Sequence, residues 1–261
     1  MTGTVTSRLL TVVCDEPFPA SFTAATLAMP LPFEVHLWYL ELDNMRSSAE
    51  DLRDMLTSEE LARADRFHFE ADRQRFLIGH ALLRHLLAAY RGGDPRTLEI
   101  RRGVHGKPYL PDGALRFNFS DTKDAVVIGL TAGQEIGVDI ETMGRSVDHA
   151  GVSEHYFTPR EIAAIAAAGP DAKRMFLRYW TRKEAILKAS GVGIMDDLRI
   201  LNVGDARNEM RIGHAEFLRL APDGYHVLSL DIGNDHLVAM ATPDRMKDIR
   251  VMDGTGPLRS R

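Results

Sequence analysis

The chain has 261 residues, 44% of them apolar and 26% charged, with a net charge of −5. That length supports one large core or two joined subdomains, and the acidic balance argues against a general nucleic-acid binder. A single cysteine, Cys14, excludes an internal disulfide and a multi-cysteine metal site. No apolar run is long enough to span a membrane, and the N-terminus lacks the basic-then-apolar order of a secretory signal. The sequence therefore reads as a cytoplasmic protein.

Residues 1–34 mix Thr, Pro and Ala without a clear period and read as a leader on the surface. Glu34–Leu40 is rich in β-formers and is the first expected strand. A short helix is expected over Ser47–Leu56. Thr57-Ser58-Glu59-Glu60 supplies an N-cap and an acidic first turn for another, running toward Phe67. A longer helix follows over Ala71–Tyr90, stopped by Arg91-Gly92-Gly93-Asp94-Pro95. Leu98–Arg102 reads as a strand and residues 103–110 as a loop. Strands at about 116–119, 125–131 and 136–141 look like a meander. A short helix is expected over Val147–His155. Phe157-Thr158-Pro159-Arg160-Glu161 then opens a helix with a capping box and proline at its first position. Asp171–Gly191 reads as a long helix. Leu198–Val203, Glu216–Arg219, His226–Ile232 and His236–Ala241 read as closing strands, with Asn234-Asp235 in the last hairpin. Residues 244–261 read as a loose tail.

Within that order the chemistry concentrates at Gly137-Val138-Asp139-Ile140-Glu141. In a strand, alternate side chains share a face, so Asp139 and Glu141 point the same way while Ile136, Val138 and Ile140 face a core. Two adjacent carboxylates repel unless a cation lies between them, and oxygen ligands suit magnesium. The same residues also suit a plain solvated strand end. On the long helix, Glu184 and Lys188 are four apart and share a face. That spacing fits a surface ion pair as well as a site. Arg63, Arg66, Arg73, Arg75 and Arg84 form either a solvated basic face or an anion site, since the guanidinium fork suits phosphate. Lys107, held between Gly106 and Pro108, is placed to meet a phosphate.

Taken together these motifs resemble the 4′-phosphopantetheinyl transferases of the larger, surfactin-synthetase type. The matching stretches are Gly106-Lys107-Pro108, Phe117-Asn118-Phe119-Ser120, Gly137-Val138-Asp139-Ile140-Glu141, Phe157-Thr158-Pro159-x-Glu161 and Trp180-x-x-Lys183-Glu184-Ala185-x-x-Lys188-x-x-Gly191. Their order and spacing match over roughly residues 35–243. The resemblance implies an α+β fold of two similar α/β subdomains, residues 35–134 and 135–243, related by a pseudo-twofold, with coenzyme A in the cleft between them. It implies transfer of the phosphopantetheine arm of coenzyme A to a serine of an acyl or peptidyl carrier protein, with release of adenosine 3′,5′-bisphosphate, by a magnesium-dependent enzyme that acts as a monomer without nucleic-acid or membrane partners. Asp139, Glu141 and Glu184 would hold the metal. Lys188 would contact the leaving phosphate, and Glu184 or a metal-held water would take the serine proton, Glu184 being favoured. Arg75 and Lys107 would meet the 3′-phosphate end, Ser120 the coenzyme's phosphates, and Arg63 matches a further basic position. One departure is Asp121, which stands where the family usually has a phosphate-contacting histidine. Two other readings are a silent relative that binds carrier protein, opposed by the intact carboxylates, and an unrelated magnesium-dependent nucleotide hydrolase, opposed by the lack of a P-loop or dinucleotide glycine fingerprint.

Overall fold

A computed structural model describes residues 7–193, 195 and 197–259 of the chain. In chain order its elements are β1 (Arg8–Cys14), β2 (Phe18–Pro19), β3 (Glu34–Glu41), α1 (Ser58–Ala64), α2 (Glu70–Arg91), β4 (Arg101–Arg102), β5 (Pro108–Tyr109), β6 (Leu115–Asp121), β7 (Ala125–Ala132) and β8 (Gly137–Thr142). There follow α3 (His149–Tyr156), α4 (Pro159–Ala167), α5 (Ala172–Ser190), β9 (Arg207–Ile212), α6 (Ala215–Leu220), β10 (Gly224–Ile232), β11 (His236–Thr242), β12 (Asp248–Asp253) and α7 (Thr255–Arg259).

A strand–helix–strand–strand unit occurs twice. The first unit is β3, α2, β6 and β7, with spatial order β3-β7-β6; the second is β8, α5, β10 and β11, with order β8-β11-β10. Neighbouring strands within each unit are antiparallel. The two sheets face each other, and each carries its long helix on the outer side. Alternation along the strands explains these layers. On β3, Trp38 and Leu40 join the core under α2, while Val35, Leu37 and Tyr39 join the core between the sheets. From β8 and the residue before it, Ile136, Val138 and Ile140 enter the same inter-sheet core. Strands buried on both faces read as nearly continuous apolar runs, as β7 and β11 do.

Gly137 sets the approach of α5 to β8. A Cβ there would lie 2.0 Å from the Ala185 carbonyl oxygen and 2.3 Å from the Ala189 nitrogen. With no side chain in the way, the helix backbone seats directly on the strand. Beneath α5, Lys183 and Glu161 are both fully buried and pair at 2.8 Å. The Lys183 ammonium also donates to the Tyr156 and Leu198 carbonyls, and Glu161 accepts from the Val203 nitrogen and closes the Thr158 capping box. This buried pair, 22 residues apart in sequence, joins the start of α4 to the middle of α5.

Several expectations require correction. The leader does not simply lie on the surface: β1 sits inside the second sheet, parallel to β10 and antiparallel to β9, although residues 1–6 lie outside the described part. The tail is not loose: β12 runs parallel to β3 at the edge of the first sheet, and α7 follows it; residues 260 and 261 lie outside. Each terminal segment therefore completes the sheet of the half farther from it in sequence. The third strand of the expected meander leaves its neighbours: β6 and β7 pair, but β8 pairs with β11 in the other sheet. Glu216–Arg219 is helical, within α6, and Leu198–Ile200 is a 3-10 turn; the strand of that region is β9. Residues 42–55 form three 3-10 turns in place of an α-helix, and the helix begun at Thr57 ends at Ala64.

Candidate functional site

The site forms where β6 and α5 flank β8. Alternation on β8 leaves Gly137, Asp139 and Glu141 on the face away from the inter-sheet core, toward α5. On the β6 side, side chains take over from a backbone ladder: Asn118 Oδ1 accepts from the Val138 nitrogen at 2.9 Å, and Ser120 Oγ lies 3.4 Å from the Ile140 nitrogen. On α5, Glu184 and Lys188 stand one turn apart on one face.

Lys188 Nζ donates to Asp139 Oδ1 at 2.6 Å and to Ser120 Oγ at 2.7 Å, and Ser120 Oγ donates to Asp139 Oδ1 at 3.0 Å. The other oxygen, Asp139 Oδ2, is buried and has no hydrogen-bond partner. Glu141 is paired with Arg145, whose guanidinium lies 5.7 Å from the centre of the Trp180 ring. Burial, followed by the Asp139 charge, pushes the Glu141 carboxyl up to about 7; Arg145 and Lys188 oppose that shift. The same two causes, burial first and then Asp139, raise Glu184 above the ordinary carboxylate range. When ionised, Asp139, Glu141 and Glu184 carry more charge than Lys188 and Arg145 offset. A hard divalent cation fits this donor set: the oxygens are carboxylates, one of them lacks a partner, and their charges repel. In this conformation the counter-charge comes from Lys188 and Arg145, and no three acidic, histidine or cysteine side chains among the described residues stand in metal-ligand geometry.

A second group adjoins the first. Arg75 Nε meets Asp121 Oδ2 at 2.8 Å, and Arg75 Nη1 meets Asp72 at 3.1 Å. Arg63 lies over the Phe76 ring, 5.1 Å from its centre. Burial raises the Asp121 carboxyl, and the charges of Arg75 and Lys188 act against that. Arg63, Arg75, Arg102, Phe76 and Asp121 line a cavity of about 380 Å³, and Lys107, Glu184, Lys188 and Gly191 line one of about 270 Å³; Pro108, Asn118 and Phe119 are common to both walls.

The structure therefore brings Ser120, Asp139 and Lys188 into direct contact, with Glu141 and Glu184 beside them and Asp121, Arg75 and Arg63 next along the cleft. It does not bring Lys107 to Arg75. The Lys107 ammonium donates to Glu135 Oε2 at 2.6 Å, the Ala189 carbonyl at 3.0 Å and the Ile136 carbonyl at 3.2 Å. All three of its donors are used, and burial lowers its pKa. It fastens the 103–107 loop to the two residues before β8 and to the end of α5. Two residues of the site escaped the sequence reading. Arg145 follows Glu141 by four, but in a loop, where spacing carries no meaning. Arg102 shares a two-residue strand with Arg101, and nothing local tells which of the two faces the cavity.

Comparison with known proteins gives a consistent result. Residues 135–241 match the profile of the 4′-phosphopantetheinyl transferase superfamily, and residues 44–132 match that described as 4′-phosphopantetheinyl transferase, N-terminal. The 4′-phosphopantetheinyl transferase HetI of Nostoc is 35% identical over 198 residues, covering 73% of this chain and 84% of that protein. The 4′-phosphopantetheinyl transferase psf-1 of Bacillus pumilus is 29% identical over 164 residues, 62% of this chain and 69% of its own length. The 4′-phosphopantetheinyl transferase AcpT of Escherichia coli is 37% identical over 121 residues, 46% of this chain and 58% of its own. The chain belongs to the 4′-phosphopantetheinyl transferase family. Among the described residues no helix is long and apolar enough to cross a membrane.

Proposed function

We propose that this protein transfers the 4′-phosphopantetheine arm of coenzyme A to a serine of an acyl or peptidyl carrier protein, releasing adenosine 3′,5′-bisphosphate, as a cytoplasmic, monomeric enzyme of the surfactin-synthetase type. The observation that carries the reading is the Ser120–Asp139–Lys188 cluster with its unpartnered carboxylate oxygen, at the meeting of two similar halves. The halves are taken as residues 35–134 and 135–243, with the terminal segments exchanged between their sheets. A single chain that supplies both sides of the cleft needs no second copy to complete it.

In this reading Asp139, Glu141 and Glu184 hold magnesium, which when bound neutralises charge on the coenzyme's pyrophosphate. Lys188 already spans Asp139 and Ser120, so a phosphate entering between them meets an ammonium and a hydroxyl fixed in place. The acceptor serine oxygen forms a bond to the β-phosphorus, and the bond from that phosphorus to the bridging oxygen breaks. The serine proton passes to Glu184, directly or through a water. Lys188 stabilises the charge left on the departing bisphosphate. Arg75 and Arg63 line the cavity suited to the coenzyme's phosphate-bearing end. Lys107 belongs to the cleft wall and positions it. Mass spectrometry of a carrier protein incubated with the chain, coenzyme A and magnesium tests the proposal. One added phosphopantetheine on the serine is the expected result. An unmodified carrier, across a panel of acyl and peptidyl carriers, would reject it.

A further inference from the structure

We infer that Arg145 is a positioning residue for the metal: its guanidinium holds Glu141 as a resident counter-ion and leaves it when a divalent cation binds, and the face of Trp180 registers the exchange. The inference rests on the metal reading above. Arg145 approaches Glu141 from the solvent side, since its side chain is 39% exposed and that of Glu141 only 11%. It can therefore depart without opening the core. The backbone around it is held. The Arg145 nitrogen donates to the Thr142 carbonyl at 3.0 Å, the Gly144 nitrogen donates to Thr142 Oγ1 at 3.1 Å, and Lys173 donates to the Met143 carbonyl. Only the side chain is left to move.

The guanidinium also lies over Trp180, within the range of a cation–π contact. Trp180 precedes Glu184 by one turn of α5, on the same face. Arg145 thus links the loop after β8 to the helix turn that carries the third carboxylate. Without a cation near it, Glu141 would be a nearly buried charge beside Asp139, which is costly. With Arg145 in place its carboxylate is held in one orientation. The guanidinium charge beside Glu141 repels an incoming dication, so Arg145 lowers the apparent affinity for metal. Lys188 stands in a similar relation to Asp139, but it also serves the transfer; Arg145 pairs with Glu141 and Trp180 and can be varied separately.

The test is titration of magnesium chloride into the full chain without coenzyme, followed by calorimetry and tryptophan emission, with manganese and its electron paramagnetic resonance signal as a second metal readout. The chain has two tryptophans, and Trp38 is fully buried, so a W180F variant identifies the source of any emission change. Wild type should bind with a change in emission that W180F lacks. Arg145→Gln should bind about fivefold more tightly, with no emission change on binding, and Arg145→Lys, which keeps the charge, should restore the wild-type affinity. Arg145→Gln binding with wild-type affinity and a wild-type emission change would overturn the role of Arg145. Wild type that binds neither metal by any of these readouts would overturn the metal reading on which it rests.

Discussion

Lys188 Nζ lies 2.6 Å from Asp139 Oδ1, across the join between α5 and β8. The contact exists because Gly137, two residues before Asp139, lets the helix backbone rest on the strand. It places a positive charge beside a carboxylate whose second oxygen is unpartnered. Asp139→Ala and Glu141→Ala should each reduce transfer at ordinary magnesium by several orders of magnitude and leave the fold intact. Carrier modification measured beside circular dichroism checks this. Full activity in either variant removes that residue from the metal site.

The proton affinity of Glu141 gives a pH dependence with a definite sign. Its carboxyl is raised from 4.5 to about 7 in the folded chain. Between those values the folded state binds more protons than the unfolded state, so metal-free stability falls as pH rises from about 4.5 through 7. Glu141→Gln should flatten that dependence and raise stability at pH 8 by up to about 3 kcal/mol. Magnesium should recover stability in wild type at pH 8 and much less in the variant. Urea denaturation across pH reads all of this; parallel curves for the two proteins would contradict it.

Arg75 and Asp121 satisfy each other in the structure. A phosphate entering there must displace a carboxylate, so Asp121→His should leave kcat near wild type and keep or lower the KM for coenzyme A. Arg75→Ala should weaken coenzyme A by about 1.5–3 kcal/mol, and dephospho-coenzyme A, which lacks the 3′-phosphate, much less. Calorimetric titration of both ligands decides the second point. A large fall in kcat for Asp121→His, in a protein that melts normally, would show that the carboxylate has a role of its own.

The buried Lys183–Glu161 pair predicts a stability effect remote from the chemistry. Lys183→Met removes one partner and leaves a fully buried carboxylate without its cation. The loss should be about 3–5 kcal/mol, with part of it recovered in the double variant carrying Glu161→Gln as well. Chemical denaturation measures both, and a single-variant loss below about 1 kcal/mol would show that the backbone donors to Glu161 suffice.

Much of the site was legible because it rests on short periods. Asp139 and Glu141 share a face through strand alternation, Glu184 and Lys188 through the helical turn, and the Thr158–Glu161 capping box is closed as its spacing indicates. The family resemblance extended that reading by joining fragments that are weak alone. The partners of those fragments were not legible. That Lys183 meets Glu161, that Lys107 spends its donors on Glu135 and two carbonyls, and that Arg75 rests on Asp121 depend on how separate elements pack, which no local spacing specifies.

By itself the sequence determined the periodic elements and the carboxylate pair, since these follow from backbone geometry and local spacing; the doubled α/β plan came only through the family resemblance. Only the tertiary structure decided where the ends go. β1 and β12 lack a clear period, and their places are set by the strand neighbours open to them: β9 and β10 in one sheet and β3 in the other. A backbone edge pairs with whatever chain satisfies its hydrogen bonds, and that choice is made between residues more than 190 positions apart, as from Leu10 to Met210.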